Sequence, residues 1–262
     1  MKIKSTETND NGSIFHGIMS QISSPIRERD IQKALNKAVE MATYSLPTAI
    51  ACNYTIIKTD GTLHGGISVN LAKTIAIAYG NIHFDCMLKE VTSKHVRAVA
   101  VAKDLEVNLS GSYECLRSFQ KDEYNVVSSA AMSVALRQAI LSIIPPPFTN
   151  QVHENVINYI CGKTQAKFDK RRDEVISMFC DLTSLKTDNI LHILRKTNVS
   201  EITRADVVKM AGLAEAISAG EVNTQALLNP KISTPSISST DNVQPLLQVV
   251  DKQGNIIQPV SN

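Results

Sequence analysis

The sequence predicts an α+β fold: a helix, a three-stranded antiparallel β-meander and a long helix, giving a β-β-β-α core, with a small helical C-terminal domain. Three observations predict it. Three strand-like runs follow one another between residues 82 and 119. "NVVSSAAMSVALRQAILSIIPPPF" (125–148) then reads as one apolar, small-residue helix stopped by three prolines. Helical periodicity resumes beyond the prolines and fades near residue 222.

The chain has 262 residues, enough for a sizeable core and a smaller appendage. Residues 1–24 are polar and read as a flexible N-terminal arm without an apolar signal-peptide core. The first helix is expected from Ser24 as N-cap and Pro25 at the first helical position, with Ile31, Leu35, Ala38, Val39 and Ala42 on its apolar face and Pro47 as its bound. "AIACNYTIIKTDGTLHGG" predicts a short strand and a turn at "TDGT". Gly65-Gly66 are expected to break the chain before a helix that carries Val69, Ala72, Ile75, Ala76 and Tyr79 on one face and stops at Gly80-Asn81.

The meander strands are "IHFDCMLKEVT" (82–92), "HVRAVAVAKDLE" (95–106) and "EVNLSGSYECLRSF" (106–119). The second is the ambiguous one: its alanines suit a helix, its alternation a strand. The domains are therefore 25–150 for the α+β core and 151–222 for a basic helical segment and the small helical domain. The latter runs from about Gln151 through "CGKTQAKFDKRRDEVISMFCDL" into "KTDNILHILRKTNVSEITRADVVKMAGLAEAISAGE". Residues 223–262, rich in Ser, Thr, Asn, Gln and Pro, read as a disordered tail, within which "LLQVVDKQGNIIQPV" has the pattern of a hairpin or a partner-binding strand.

Enzyme motifs are missing. There is no GxxxxGK[ST], GxGxxG or HExxH, and the six histidines are isolated. The five cysteines are widely spaced without a CxxC pair, so they read as buried free thiols of a reducing cytoplasm and not as a metal site. Asp85 and Glu90 are an odd number of residues apart, which places them on opposite faces of a strand and argues against a paired-carboxylate site. Ser128 and Ser129 read as a helix cap and not a nucleophile. No run of 18 apolar residues suggests a membrane span. The residues thus point to a binding protein without a catalytic group, metal or cofactor.

Net charge is only +2, so a polyanion surface must come from local clustering. Lys89, Arg97 and Lys103 fall on the meander. Lys163, Lys167, Lys170 and Arg171 recur at helical spacing on one face of the basic segment. This stripe is either a solvated face, partly neutralised by Asp169, Asp173 and Glu174, or a phosphate-tracking stripe of the kind single-strand binders use. Tyr79, Phe84, Tyr113, Phe119, Tyr124 and Phe168 are expected mostly in the core, and Trp is absent, so binding should rest on backbone charge more than on base stacking. Arg137, alone in its apolar helix, is expected to reach a phosphate or to pair with a carboxylate such as Asp122 or Glu123.

The order "GGISVNLAKTIAIAYGNI", a meander, "SSAAMSVALRQAILSIIP" resembles phage recombination proteins of the RecT/Redβ group of single-strand annealing proteins. The C-terminal "KRRDEVISMF" and "LHILRKTNVSEITRADVVKMAGLAEAISAGE" resemble the helical module that ends such chains. The resemblance covers roughly residues 45–225. It implies single-stranded DNA binding and ATP-independent strand annealing in phage-type homologous recombination by a homo-oligomeric ring or filament. It also implies a C-terminal module that meets a partner, an exonuclease or a single-strand-binding protein, in the cytoplasm of a bacterium or phage-infected host. The alternatives are a phage structural or assembly protein that oligomerises without DNA chemistry, and a nuclease with an unrecognised site.

Overall fold

A computed structural model describes residues 26–58, 60–119 and 124–218, Leu227, and the strand backbones at 246–250 and 256–257. The fold is α+β with the expected β-β-β-α core. Helix α1 (Ile31–Ala42) and the short α2 (Leu46–Ala51) lead into the hairpin β1 (Asn53–Ile57) and β2 (Leu63–Ile67). Helix α3 (Val69–Tyr79) precedes the meander β3 (Ile82–Val91), β4 (His95–Asp104) and β5 (Leu109–Ser118). The long α4 (Tyr124–Ile143) packs across that sheet, and α5 (Pro146–Cys161), α6 (Gln165–Thr183), α7 (Thr187–Leu194) and α8 (Arg204–Ser218) form the helical C-terminal region. Strand β6 (Leu246–Val250) adds antiparallel to β5, and β7 (Ile256–Ile257) pairs antiparallel with β6, so the hairpin reading applies to these two segments. The rest of residues 223–262, apart from Leu227, and the arm 1–24 lie outside the described residues.

The ambiguous second strand is a strand because its alanines face inward. Ala98, Ala100 and Ala102 are fully buried against α4, while Arg97, Val99, Val101 and Lys103 take the other face. Small side chains recur across the seam. Ala131, Ala135 and Ala139, one helical turn apart, are also fully buried. At Gly111 a Cβ would collide with Ser142 Oγ and stand 2.9 Å from Ile143 Cγ2, so this seam admits no side chain there. By length and composition α4 could cross a membrane, yet it is the core helix of this fold, with Val127, Ile140 and Ile143 buried beside its alanines.

Several local expectations change. Helix α1 starts at Ile31 behind Asp30, whose side chain accepts from Lys33 N–H at 3.0 Å. Residues 26–30 run outside the helix because Arg29 turns inward. Its guanidinium donates to both Asp104 carboxylate oxygens at 2.9 Å and to the Tyr79 carbonyl at 2.9 Å, and it lies 3.8 Å from the Tyr79 ring centre. Pro47 does not end α1; Thr43 does, and Pro47 opens α2 behind the Ser45 cap. Gly65 and Gly66 lie inside β2, where the strand passes against Tyr54. The proline run starts an element as well as ending one: Pro146 and Pro147 form the first turn of α5, where a missing N–H leaves no orphan. The helical run after it is two helices, parted at Gly162, which has φ 77°.

A β-bulge between Leu88 and Glu90 shifts the register of β3. Asp85 then pairs with Val101 and Glu90 with Arg97, so the two carboxylates share the sheet face that an unbroken strand would have separated.

The C-terminal helices share the core of the rest. Helix α8 lies on β1, with Gly212 against Thr55, and Arg195 at the end of α7 donates to the Asp60 carbonyl at 2.8 Å. Asn53 ties β1 to α5 and α2 together: its oxygen meets His153 Nε2 at 2.8 Å and its amide nitrogen donates to the Ala49 carbonyl at 2.9 Å.

Candidate nucleic-acid interface

The corner between α5 and α6 is built by packing from beneath. Val156, Ile160 and Cys161 are buried on the inner face of α5, and Phe168, Val175 and Ile176 on that of α6. Arg204 of α8 pins the turn: it donates to the Gly162 carbonyl at 2.7 Å and to Asn158 Oδ1 at 3.3 Å, and lies 5.4 Å from the Phe168 ring centre. Thr164 caps α6. Burial pushes the Cys161 thiol up to about 11, which leaves it protonated and inert at neutral pH.

The outer side of this corner is a cleft of about 460 Å³ that gathers Lys163, Lys167, Lys170 and Arg171 with Tyr159 and Glu174. The four residues of the basic stripe thus meet at one place. Their carboxylates do not meet there in equal number. Asp169 and Asp173 turn to Arg172, each at 3.0 Å, and Arg172 is held on the inner side near Phe168. Only Glu174 remains in the lining, 2.8 Å from Arg171 and 3.9 Å from Lys170. No carboxylate among the described residues pairs with Lys163 or Lys167.

The meander cations are arranged differently. Lys89 meets Glu114 at 3.2 Å, and Arg97 meets both Glu90 and Glu114 at 3.2 Å. Hydrogen bonding from His95, with Arg97 nearby, holds the Glu90 carboxyl below its usual range. Lys103 is on the same sheet face, four positions along β4 from the Val99–Glu114 pair. The meander cations do not line the α5–α6 cleft.

Arg137 is the third kind. Its guanidinium lies 4.2 Å from the Tyr54 ring centre. Burial pushes it below its ordinary range, and the nearby Arg117 adds to that, against the opposing Tyr54 and Tyr113 hydroxyls. The Nε of Arg117 is itself buried without a hydrogen-bond partner. Among the described residues no carboxylate pairs with either guanidinium; Asp122 and Glu123 lie outside them.

Tyr54 and Tyr159 are not marked by the sequence, while Arg117 stands out there only as a cation at the exit of the meander. Nothing in the spacing of Tyr54 and Arg137, 83 positions apart, signals that they meet. Tyr159 meets the basic stripe only because the chain turns at Gly162, which helical spacing does not show. Among the described residues no group of three His, Cys, Asp or Glu side chains is placed to hold a metal ion. No family model matches this chain, and no curated protein or solved structure does either.

Proposed function

We propose that this protein binds single-stranded DNA along its sugar-phosphate backbone and anneals complementary strands without ATP, as a homo-oligomer in the cytoplasm of a bacterium or phage-infected cell. One observation carries the reading: Lys163, Lys167, Lys170 and Arg171 converge on one cleft that holds a single carboxylate. Such clustering concentrates phosphate-neutralising charge on a chain whose net charge is only +2. Arg137 and the nearby Arg117, which have no carboxylate partner among the described residues, offer a second anion seat. The order of the β-β-β-α core and its preceding helix supports annealing in particular, through the resemblance drawn above.

The test is an annealing assay with complementary oligonucleotides, without ATP, with product lengths checked. Faster annealing of intact strands is expected, and alanine at all four cleft cations should abolish it. Shortened strands would favour a nuclease. Failure to bind single strands even at low salt would favour an assembly protein.

A further inference from the structure

The geometry points to Tyr159 as a base-stacking platform, which makes the cleft a site for unpaired nucleotides in preference to duplex. The inference rests on the proposed strand binding and names what the cleft reads beyond charge. Tyr159 is 44% exposed, although it sits on a helix whose neighbouring Val156 and Ile160 are buried. Its ring has no aromatic or cation partner among the described residues. Several other rings are occupied: Tyr79 packs on Phe148, Phe119 on Tyr124, Tyr54 lies under Arg137, and Phe168 lies near Arg172 and Arg204; Tyr44 is open too, at 85% exposure, but does not line the cleft.

The open ring shares its cleft with Lys163, Lys167, Lys170 and Arg171. A nucleotide has two recognisable parts, an anionic phosphate and a flat base. A cleft that offers several cations beside one free aromatic face matches both. In a duplex the base faces are stacked on one another, so the ring would find a partner only on a single strand or at an end. The platform is also held still. Asn158 and Gly162, on either side of it, are both hydrogen-bonded to Arg204, so little ordering is needed when a base arrives.

The experiment compares the full chain with Tyr159→Ala and Tyr159→Phe against three probes: oligo-dT, an abasic sugar-phosphate oligomer of equal length, and the same dT strand in duplex. The unsubstituted protein should prefer oligo-dT over the abasic oligomer by on the order of ten- to a hundredfold, the usual worth of one stacked base. Tyr159→Ala should erase that preference while leaving abasic affinity and its salt dependence unchanged. Tyr159→Phe should keep it. Equal binding of dT and abasic oligomers by the unsubstituted protein would overturn the stacking role and leave backbone binding standing. Loss of affinity for both oligomers in Tyr159→Ala would also overturn it, by showing that the ring supports the cleft and not the base. Tighter binding to duplex than to dT would do the same. Binding to none of the three would remove the strand-binding reading itself.

Discussion

Replacing Lys163, Lys167, Lys170 and Arg171 with alanine should separate DNA affinity from stability. If each cation neutralises one phosphate, each loss removes about 0.7 from the slope of log affinity against log salt on single strands, or about 2.8 for all four. A fourfold change in salt then alters affinity by about fifty-fold less in the variant than in the parent. The four should not contribute alike. Glu174 already neutralises Arg171 at 2.8 Å and approaches Lys170 at 3.9 Å, so a phosphate must displace or share that carboxylate. Lys163→Ala with Lys167→Ala should therefore lower the slope by about 1.4, and Lys170→Ala with Arg171→Ala by less. Glu174→Gln should raise affinity and make the two pairs equivalent. Folding should hardly notice. Exposed pairs one helical turn apart contribute only about 0.3–0.5 kcal/mol, and alanine is the best helix former. The assay is fluorescence anisotropy with a labelled oligonucleotide over a salt series, alongside thermal melting. A quadruple variant that melts normally and keeps both affinity and slope would refute the cleft as the DNA site.

Four further outcomes are expected. Gly111→Val should destabilise the fold by about 1–3 kcal/mol, read from the urea midpoint, because the new Cβ meets Ser142 and Ile143. Asp104→Ala should be harsher, about 3–5 kcal/mol in the same measurement, since the buried Arg29 would lose the carboxylate that takes two of its hydrogen bonds and keep only the Glu106 carboxylate, 3.5 Å away. Burial holds His153 below its ordinary range, so the stability it permits is complete above the unfolded value of about 6.5 and is lost as pH falls through the folded value; His153→Gln should flatten the melting temperature between about pH 7 and pH 5. Arg137→Met should leave stability unchanged or raised, because it removes a desolvated cation with no carboxylate among the described residues, while lowering oligonucleotide affinity; a large loss of stability would show a structural ion pair instead.

Elements with a strong local pattern were legible in the sequence. The meander strands fall within three residues of their expected bounds, because alternation and the polar break at Ser93-Lys94 are written locally, while the turn over 105–108 falls inside the expected strands on either side. Features set by distant partners were not. The unwound 26–30 segment follows from Arg29 reaching Asp104, 75 residues away. The bulge at Lys89 cannot be read from alternation, because one inserted residue leaves the composition of the strand unchanged. The prolines were read for what they forbid, while Pro146 and Pro147 also supply the fixed φ that a helix start favours. The basic stripe was legible as spacing. Its sorting was not, since only packing against Phe168 decides that Arg172 turns in and takes Asp169 and Asp173 with it.

That sorting gives the chain two kinds of positive charge, and under the proposed function they do different work. Lys163, Lys167, Lys170 and Arg171 stand at a solvated surface, where salt screens their attraction over about 10 Å at 0.1 M. They favour encounter and hold a strand loosely enough to exchange. Arg137 is desolvated between α4 and the β1–β2 hairpin, with its face on Tyr54 and Arg117 nearby. An anion seated there is screened much less, because the surroundings and not the salt set the field. The close helix–sheet seam is what makes this possible. Ala98, Ala100, Ala102 and Gly111 let α4 settle deep on the meander, and Arg137 on its flank is thereby carried to the Tyr54 ring. Removing the cleft cations should therefore leave a weaker binding with only the slope of about 0.7 that one phosphate at Arg137 supplies, and removing Arg137 should leave one that is weaker yet keeps most of its salt slope. Parallel salt dependences in the two variants would mean that both sets of cations face the same solvated strand and that burial at Arg137 serves the fold alone.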